Sequence, residues 1–481
     1  MSYPTDSRCF TSPGGSMFGR GWCGVSVAAN NMQDLTKLTA VELTDVIRSR
    51  RASATEVLEA HLARIREENP RLNAVITLDE EGARKQAREA DDALARGELW
   101  GPLHGLPMTL KDGHSTKGMR TTSGYEPLAN YVPAEDGTVA ARLRAAGAII
   151  MGKTNVSPLL GNIQSDNAIF GRTSNPWNVE RTSGGSSGGA ASALAVGMTP
   201  LEIGSDFAGS IRIPAHFCGV YGLKTTEHRV SMWGHIPDIP GSVRSHRIMW
   251  AIGPLARSVE DLALAYRIIS GPDGYDVDVP PVPVQDAETV ELKGLRVAWA
   301  PTFPGVPVAA SIRTAIERLA VELESAGAVV EEALPAVDFG ELAKARAALS
   351  RAVRVTLHPS DEQVATMVEY LTALDVRDKI VRVWDAFLEK WDLLLCPVTM
   401  TTAFPHCAME SSLQVDGEAV NYWRAVGHSA PFNFTGHPAA VVPVARDSDG
   451  LPIGVQLVGR RWGEAHLLGA AARVAEVAQY S

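Results

Sequence analysis

Apolar residues recur at helical spacing over Leu35–Arg50 and again over Thr55–Glu68. Between them, Ala52-Ser53-Ala54-Thr55 reads as a helix boundary with an N-cap, because a hydroxyl there can accept an N–H that the next turn leaves unpaired. Glu80–Arg96 predicts a polar, alanine-rich helix. Val139–Ala146 predicts another, stopped by Gly147, after which Ala148–Met151 reads as a short buried strand. Apolar runs at Leu295–Ala300, Asp392–Cys396, Ala439–Ala445 and Ile453–Val458 suit further strands. Helical patterns at Val259–Ile269, Ser311–Ala326, Asp361–Glu389 and Glu464–Ala478 lie among them. Strands alternating with helices predict an α/β fold, a single large domain whose mixed, mostly parallel sheet is covered by helices on both faces. The Asp- and Pro-rich stretch Gly271–Pro283 is read as a surface excursion within that domain. Residues 1–31, with Pro, Gly and Ser and few charges, predict a flexible tail or extension, leaving 32–481 as the folded domain.

Composition changes this picture in a few places. A chain of 481 residues can bury a core without disulfide or metal staples. Forty-five Lys and Arg against 55 Asp and Glu leave a net charge of −10, so no cationic surplus is available to a polyphosphate and no nucleic-acid partner is expected. No run reads as a membrane span or signal peptide, so a cytoplasmic chain without a membrane partner is expected. Five cysteines (Cys9, Cys23, Cys218, Cys396 and Cys407), odd in number and without a CxxC pair, read as free thiols. His104 and His114 show no metal-ligand spacing, and neither a metal nor a cofactor is expected.

The chemistry concentrates in residues 184–214. Of these 31 residues only Glu202, Asp206 and Arg212 are charged. Two Gly/Ser loops flank a small-residue helix, Ala190–Val196. A plain flexible linker would not carry that apolar helix or the second glycine loop. A phosphate loop would need a lysine after Gly188 or Gly189, and none is there. Gly184-x-Ser186-x-Gly188 fits a nucleophile elbow, with His437 or His466 as a distant base, but an elbow needs a strand just before its serine. Here residues 175–183 look like loop.

The segments Gly184-Gly185-Ser186-Ser187-Gly188-Gly189 and Gly204-Ser205-Asp206-Phe207-Ala208-Gly209-Ser210-Ile211-Arg212-Ile213-Pro214 resemble the amidase signature family. So do Gly105–Asp112 around Lys111, Gly152-Lys153-Thr154-Asn155, Asn175-Pro176-Trp177, Gly219–Lys224 and Gly450–Gln456. The resemblance runs from about residue 35 to the C-terminus. It implies a Ser–cis-Ser–Lys triad with Ser210 as nucleophile, Ser186 as bridging serine and Lys111 as base. It also implies a cis peptide at Gly185–Ser186, and an oxyanion hole built from the backbone N–H groups of Phe207, Ala208, Gly209 and Ser210. The commoner family pattern has a second glycine where Ala208 stands, so position 208 is expected to tolerate a β-carbon. Phe207 is expected to pack in the core or to line the acyl pocket.

The physics of such a triad can be followed from the residues. A free lysine, with a pKa of about 10.4, is a poor base at neutral pH. Burial in a weakly polar site disfavours its charged form. Three supporting residues follow. Ser187 is read as holding Lys111, as capping the following helix, or both, and Asp206 and Arg212 as a bracing ion pair. Cys218 reads as a packed thiol. Short motifs do not define the pocket walls, for which Trp233, Trp384, Trp391 and Trp423 are candidates.

The resemblance leaves several activities open. The favoured one is a soluble amidase, monomer or homodimer, acting on small or mid-sized uncharged amides such as aryl amides. Esters and carbamates (urethanes) fit the same acyl chemistry. The alternative is the glutaminase subunit of a tRNA-dependent amidotransferase complex, whose arginine-bearing segment residues 340–392 do not resemble, although Arg346, Arg351 and Arg354 are available. A catalytically dead binding protein is disfavoured because all three triad residues are present.

Overall fold

The structure, a computed structural model, describes residues 35–236, 247–357 and 365–480. The tail expected for 1–31 lies outside the described residues. The first helices are α1 (Ala40–Arg48) and α2 (Ala54–Leu72), and both open with a capping box. Thr39 and Ser53 accept the N–H groups of Glu42 and Glu56, whose carboxylates reach back to the caps.

A small three-stranded sheet follows. It contains β1 (Val75–Leu78), β2 (Pro107–Lys111) and β3 (Ile149–Thr154) in the order β1-β3-β2. Strand β3 runs antiparallel to β1 and parallel to β2. Helix α3 (Glu80–Ala95) lies between β1 and β2 in sequence, and α4 (Thr138–Ala145) precedes β3. Every residue of β2 is buried, so Lys111 stands at a strand end shielded from solvent.

Helix α5 (Gly188–Ala195) leads to the large sheet. Its strands are β4 (Leu201–Asp206), β5 (Tyr221–Lys224), β6 (Ala251–Ala256), β7 (Arg296–Trp299), β8 (Val329–Glu332), β9 (Leu393–Pro397), β10 (Ala439–Arg446) and β11 (Pro452–Val458). Their order is β8-β7-β9-β11-β10-β5-β6-β4. The fold is thus one large α/β domain with a mixed sheet, but the sheet is not mostly parallel. Only β8–β7 and β7–β9 pair in parallel, and the other five pairings are antiparallel. Connectivity explains the split. The parallel pairs lie where helices intervene, with α8 (Ala310–Ser325) between β7 and β8, and α9 (Phe339–Leu357) and α10 (Met367–Lys390) between β8 and β9. Strands β10 and β11 are separated by residues 447–451 alone, too short for a crossover, so they form a hairpin.

Both faces of the sheet are covered. Along β9, Leu393 and Leu395 enter one apolar core and Leu394 and Cys396 the other, the two-residue alternation of a strand buried on both sides. Leu342 and Leu349 of α9 and Ile380 and Trp384 of α10 close the second face. Helices expected at Val259–Ile269 and Glu464–Ala478 occur with those bounds, here α7 and α11. The pattern over 361–389 corresponds to α10, with residues 358–364 outside the description. Helix α9 has no counterpart among the expected elements. Its repeated alanines and interspersed arginines give little apolar contrast to read.

The excursion 271–283 is stitched to the body. Arg229 donates to the carbonyls of Val282 and Pro283, and the Met232 N–H donates to Asp276 at 2.8 Å. At the other side of the domain, β4 is the edge strand of the large sheet, and the small sheet packs on it. The Thr109 N–H donates to Thr199 Oγ1 at 3.1 Å and the Thr109 hydroxyl to Glu202. This junction sets the end of β2 against the end of β4. Among the described residues, no helix is long and apolar enough to cross a membrane.

Candidate active site

Two turns meet at that junction. One runs from residue 183 to α5. The other links the end of β4 to the short helix α6 (Arg212–Cys218). The peptide Gly185–Ser186 is cis. Ser165 holds this turn, its hydroxyl donating to the Ser186 carbonyl at 3.1 Å and accepting the Gly188 N–H at 2.9 Å. Gly189 fits only without a side chain, because a β-carbon there would lie 2.3 Å from the Asn155 nitrogen. That contact explains why the Gly152–Asn155 segment and the serine loop occur together. The second turn is joined to the first by the Ser187 N–H, which donates to the Ser210 carbonyl at 3.1 Å.

Lys111 reaches into this junction. Its Nζ lies 2.8 Å from Ser186 Oγ, 3.1 Å from the Ser205 carbonyl and 3.0 Å from Ser205 Oγ. The side chain is fully buried. Burial brings its amine down from the ordinary lysine value to about 7, against the opposing pull of Asp206 and Glu202. At neutral pH, then, a large fraction of Lys111 carries a free lone pair beside Ser186 Oγ.

Ser187 does not hold the lysine. Its side chain makes no capping bond, and among the described residues its Oγ has no partner. It faces Gly204, where a β-carbon would come within 2.9 Å of the hydroxyl. The role expected of Ser187 belongs by geometry to Ser205, to which the sequence motifs assign no role. Ser205→Ala removes one neutral acceptor and is expected to lower kcat roughly two- to tenfold, with a smaller effect on KM. Initial-rate kinetics check this, and an unchanged kcat would remove Ser205 from the support of Lys111.

Asp206 and Arg212 form a fully buried ion pair with two contacts, Nη2–Oδ1 at 2.8 Å and Nε–Oδ2 at 3.0 Å. Burial alone would raise the Asp206 carboxyl, but the Arg212 guanidinium outweighs it and holds the group well below the usual carboxylate range. Arg212 also donates to the Ser429 carbonyl at 2.8 Å and to Gln456 Oε1 at 3.1 Å. Gln456 in turn donates to the carbonyls of Pro397 and His428, both at 2.7 Å. The Gly450–Gln456 segment singled out in the sequence therefore ends on the brace behind the nucleophile loop. Asn433, which no motif marks, donates to Asp206 and accepts from Arg212.

The donors expected for an oxyanion divide. The Gly209 N–H is spent on Asp206 Oδ1 at 2.7 Å and cannot also face a substrate. The N–H groups of Phe207, Ala208 and Ser210 make no hydrogen bond among the described residues. Gly209 holds φ +122°, in the region that favours glycine, while Ala208 is not among the residues with positive φ. The loop therefore puts its glycine where the backbone requires one and accepts a β-carbon at 208.

Ser210 opens on a cavity of about 650 Å³. Phe207 lines it, its ring centroid 4.9 Å from that of Trp250, and Leu159, Leu160, Ile163 and Val426 extend the apolar wall. Of the four candidate tryptophans, only Trp423 lines this space. Trp384 is core, Trp391 packs against the same core, and Trp233 is exposed and stacked on Tyr275. Trp250 and Arg346 also stand on the wall, and no motif marks either. His437, the distant base of the elbow reading, is instead bound to Asp385 and Thr435. Cys218 is buried, and burial pushes its thiol well above the ordinary cysteine value. Among the described residues, no cluster of three or more His, Cys, Asp or Glu is placed to hold a metal ion.

Comparison with known proteins agrees with this architecture. The family model described as Amidase matches residues 56–359 and 341–468. The chain is 35% identical to the glutamyl-tRNA(Gln) amidotransferase A-subunit of Moorella thermoacetica, over 93% of this chain and 98% of that one. It is likewise 35% identical to the corresponding protein of Roseiflexus castenholzii, over 91% and 95%. Among solved structures it is similar to a protein from a vestigial complex bearing on the origins of an s-triazine catabolic enzyme, with TM-score 0.83 and 29% identity over 92% and 99% of the chains. It is similar as well to 6-aminohexanoate cyclic dimer hydrolase bound to substrate, with TM-score 0.79 and 27% identity over 93% and 98%. A family model spanning most of the chain, with relatives matching nearly end to end, places it in the amidase signature family.

Proposed function

We propose that this chain splits carbon–nitrogen amide bonds through an acyl-enzyme on Ser210, with Ser186 and neutral Lys111 as the proton relay. The observation that carries the reading is the buried Lys111 amine, 2.8 Å from Ser186 Oγ, on the turn whose next residue is bonded to Ser210. In this mechanism Ser210 Oγ attacks the carbonyl carbon while its proton passes to Ser186, and the proton of Ser186 passes to Lys111. The free N–H groups of Phe207, Ala208 and Ser210 receive the charge that develops on the carbonyl oxygen. Ser186 then returns a proton to the departing nitrogen, and water repeats the cycle to release the acid.

A serine-directed fluorophosphonate tests the nucleophile. The expected result is one adduct, mapped to Ser210 and absent from Ser210→Ala. No adduct on folded protein would sink the reading.

Two uses of this chemistry remain, and the curated relatives support the second more than the first. In the first, the chain alone hydrolyses small amides, esters or carbamates, as the similarity to solved hydrolases supports. In the second, it is the glutaminase subunit of a tRNA-dependent amidotransferase, as the name of relatives 35% identical over more than nine-tenths of the chain supports. Ammonia release from glutamine that needs added partner subunits would establish the second. Turnover of anilides, esters or carbamates by the chain alone would establish the first.

A further inference from the structure

The turn that carries Ser186 is backed by residues 162–165. A β-carbon on Gly185 would lie 2.7 Å from the Gln164 nitrogen and 2.8 Å from the Asn162 carbonyl oxygen, so the two backbones touch. The Ser165 N–H adds a bond to the Gly184 carbonyl at 3.1 Å. In an interior packed this closely, Ser186 keeps its place only while residues 162–165 keep theirs.

One hydroxyl holds that segment from behind. Tyr422 opens the short 3₁₀ turn Tyr422–Val426, and its side chain is fully buried. Its Oη donates to Asn162 Oδ1 at 2.6 Å and accepts from Gln164 Nε2 at 3.0 Å. Gln164 then binds residue 407 in both directions. Its Nε2 donates to the Cys407 carbonyl at 2.8 Å, and its Oε1 accepts the Cys407 N–H at 3.3 Å. Burial pushes the Tyr422 phenol well above the ordinary tyrosine value, so the hydroxyl keeps its proton and stays a donor. The ring has contacts of its own, edge-on to Phe404 and Trp423, and a phenylalanine would keep them. Asn162 and Gln164 line the cavity, and Tyr422 stands behind them.

We propose that Tyr422 is a positioning residue for Ser186, its hydroxyl fixing residues 162–165 and these seating the turn that carries the bridging serine. The role rests on the Ser210–Ser186–Lys111 reading. It assigns part of kcat to a side chain more than 230 residues away in sequence, which no motif marks. Without the hydroxyl, the Asn162 oxygen loses a buried donor and the Gln164 amide an acceptor, and leaving such groups unmet costs more than the bonds were worth. The segment must then shift, and a relay through hydroxyls is sensitive to small displacements.

Tyr422→Phe is expected to lower kcat for an amide roughly 3- to 30-fold and to change KM by less than about threefold. Hydrogen exchange read by mass spectrometry should be severalfold faster at 184–188, where the N–H groups of Ser187 and Gly188 are bonded within the site. A general loss of stability would speed exchange in the core strand β9 as well, so β9 is the control. Asn162→Ala acts on the same bond. The double variant should therefore lose much less kcat than the product of the two single losses. An unchanged kcat, unchanged exchange at 184–188, exchange raised equally in β9, or fully multiplicative losses each overturn the proposal. A wild type that turns over no amide sinks the hydrolase reading instead, and faster exchange at 184–188 in Tyr422→Phe then keeps Tyr422 as the support of the turn. Should Tyr422→Phe fail to fold, Gln164→Met removes the amide bound to the same hydroxyl and carries both measurements.

Discussion

Lys111→Met is expected to lower kcat/KM for an amide by roughly 10²- to 10⁴-fold, the usual worth of a general base. Methionine keeps most of the buried volume and removes the amine, so loss of activity separates from loss of packing. The pH profile gives a second reading of the same residue. The relay works only when Lys111 is neutral, and its amine is brought down to about 7 by burial. Lowering the pH through that value protonates the base, so wild-type kcat/KM should fall about tenfold per unit below it and level off above it. Lys111→Met should lose that limb. Initial rates between pH 5 and 9, with a thermal melt as control, check both points. Amide turnover within tenfold of wild type would remove Lys111 as the base.

Lys111 and Ser186 stand 75 residues apart, and they are readable in the sequence because each lies in a short segment that resembles the family's. Small residues must stand where backbones touch, as Gly189 does against Asn155, and such positions leave a mark in the chain. What the sequence misplaces depends on contacts between distant segments. Ser205 supports Lys111 only because β2 packs against the edge strand β4, a meeting of residues 94 apart in sequence. Ser187 is equally suited by its place in the chain, but its hydroxyl turns towards Gly204.

Other signals are present in the chain, and the structure shows what they mean. Asp206-Phe207-Ala208-Gly209 is a sequence in which an Asp side chain can take the N–H three residues on, as it does, which removes Gly209 from the oxyanion donors. Asp447-Ser448-Asp449-Gly450 between two apolar runs is a hairpin signal, and it argues on its own against a mostly parallel sheet. The cavity has no such signal. Its wall gathers residues near 160, 250, 350 and 425, and no short motif ties those segments together.

The Asp206–Arg212 pair is where stability and the nucleophile loop are coupled, and Asp206→Leu is expected to cost about 3–5 kcal/mol. The apolar side chain leaves a fully buried guanidinium with only neutral acceptors, Ser429, Gln456 and Asn433. It also strips the N–H groups of Gly209 and Ile211 of their acceptor, so the loop carrying Ser210 loses its anchor. Urea unfolding should show a lower midpoint with an unchanged slope. The pH dependence has a definite sign. Arg212 holds the Asp206 carboxyl below its unfolded value of about 3.9, so the pair's contribution is complete above that pH and is lost only as pH falls below it. Wild type should therefore be the more stable of the two at neutral pH, and the two should converge in stronger acid. The double variant Asp206→Leu/Arg212→Leu separates the two sources of the cost. If the unpaired charge dominates, removing it restores part of the midpoint while amide turnover stays lost, because the anchor of the loop is still missing. A double variant no more stable than Asp206→Leu would place the cost in the stripped N–H groups instead.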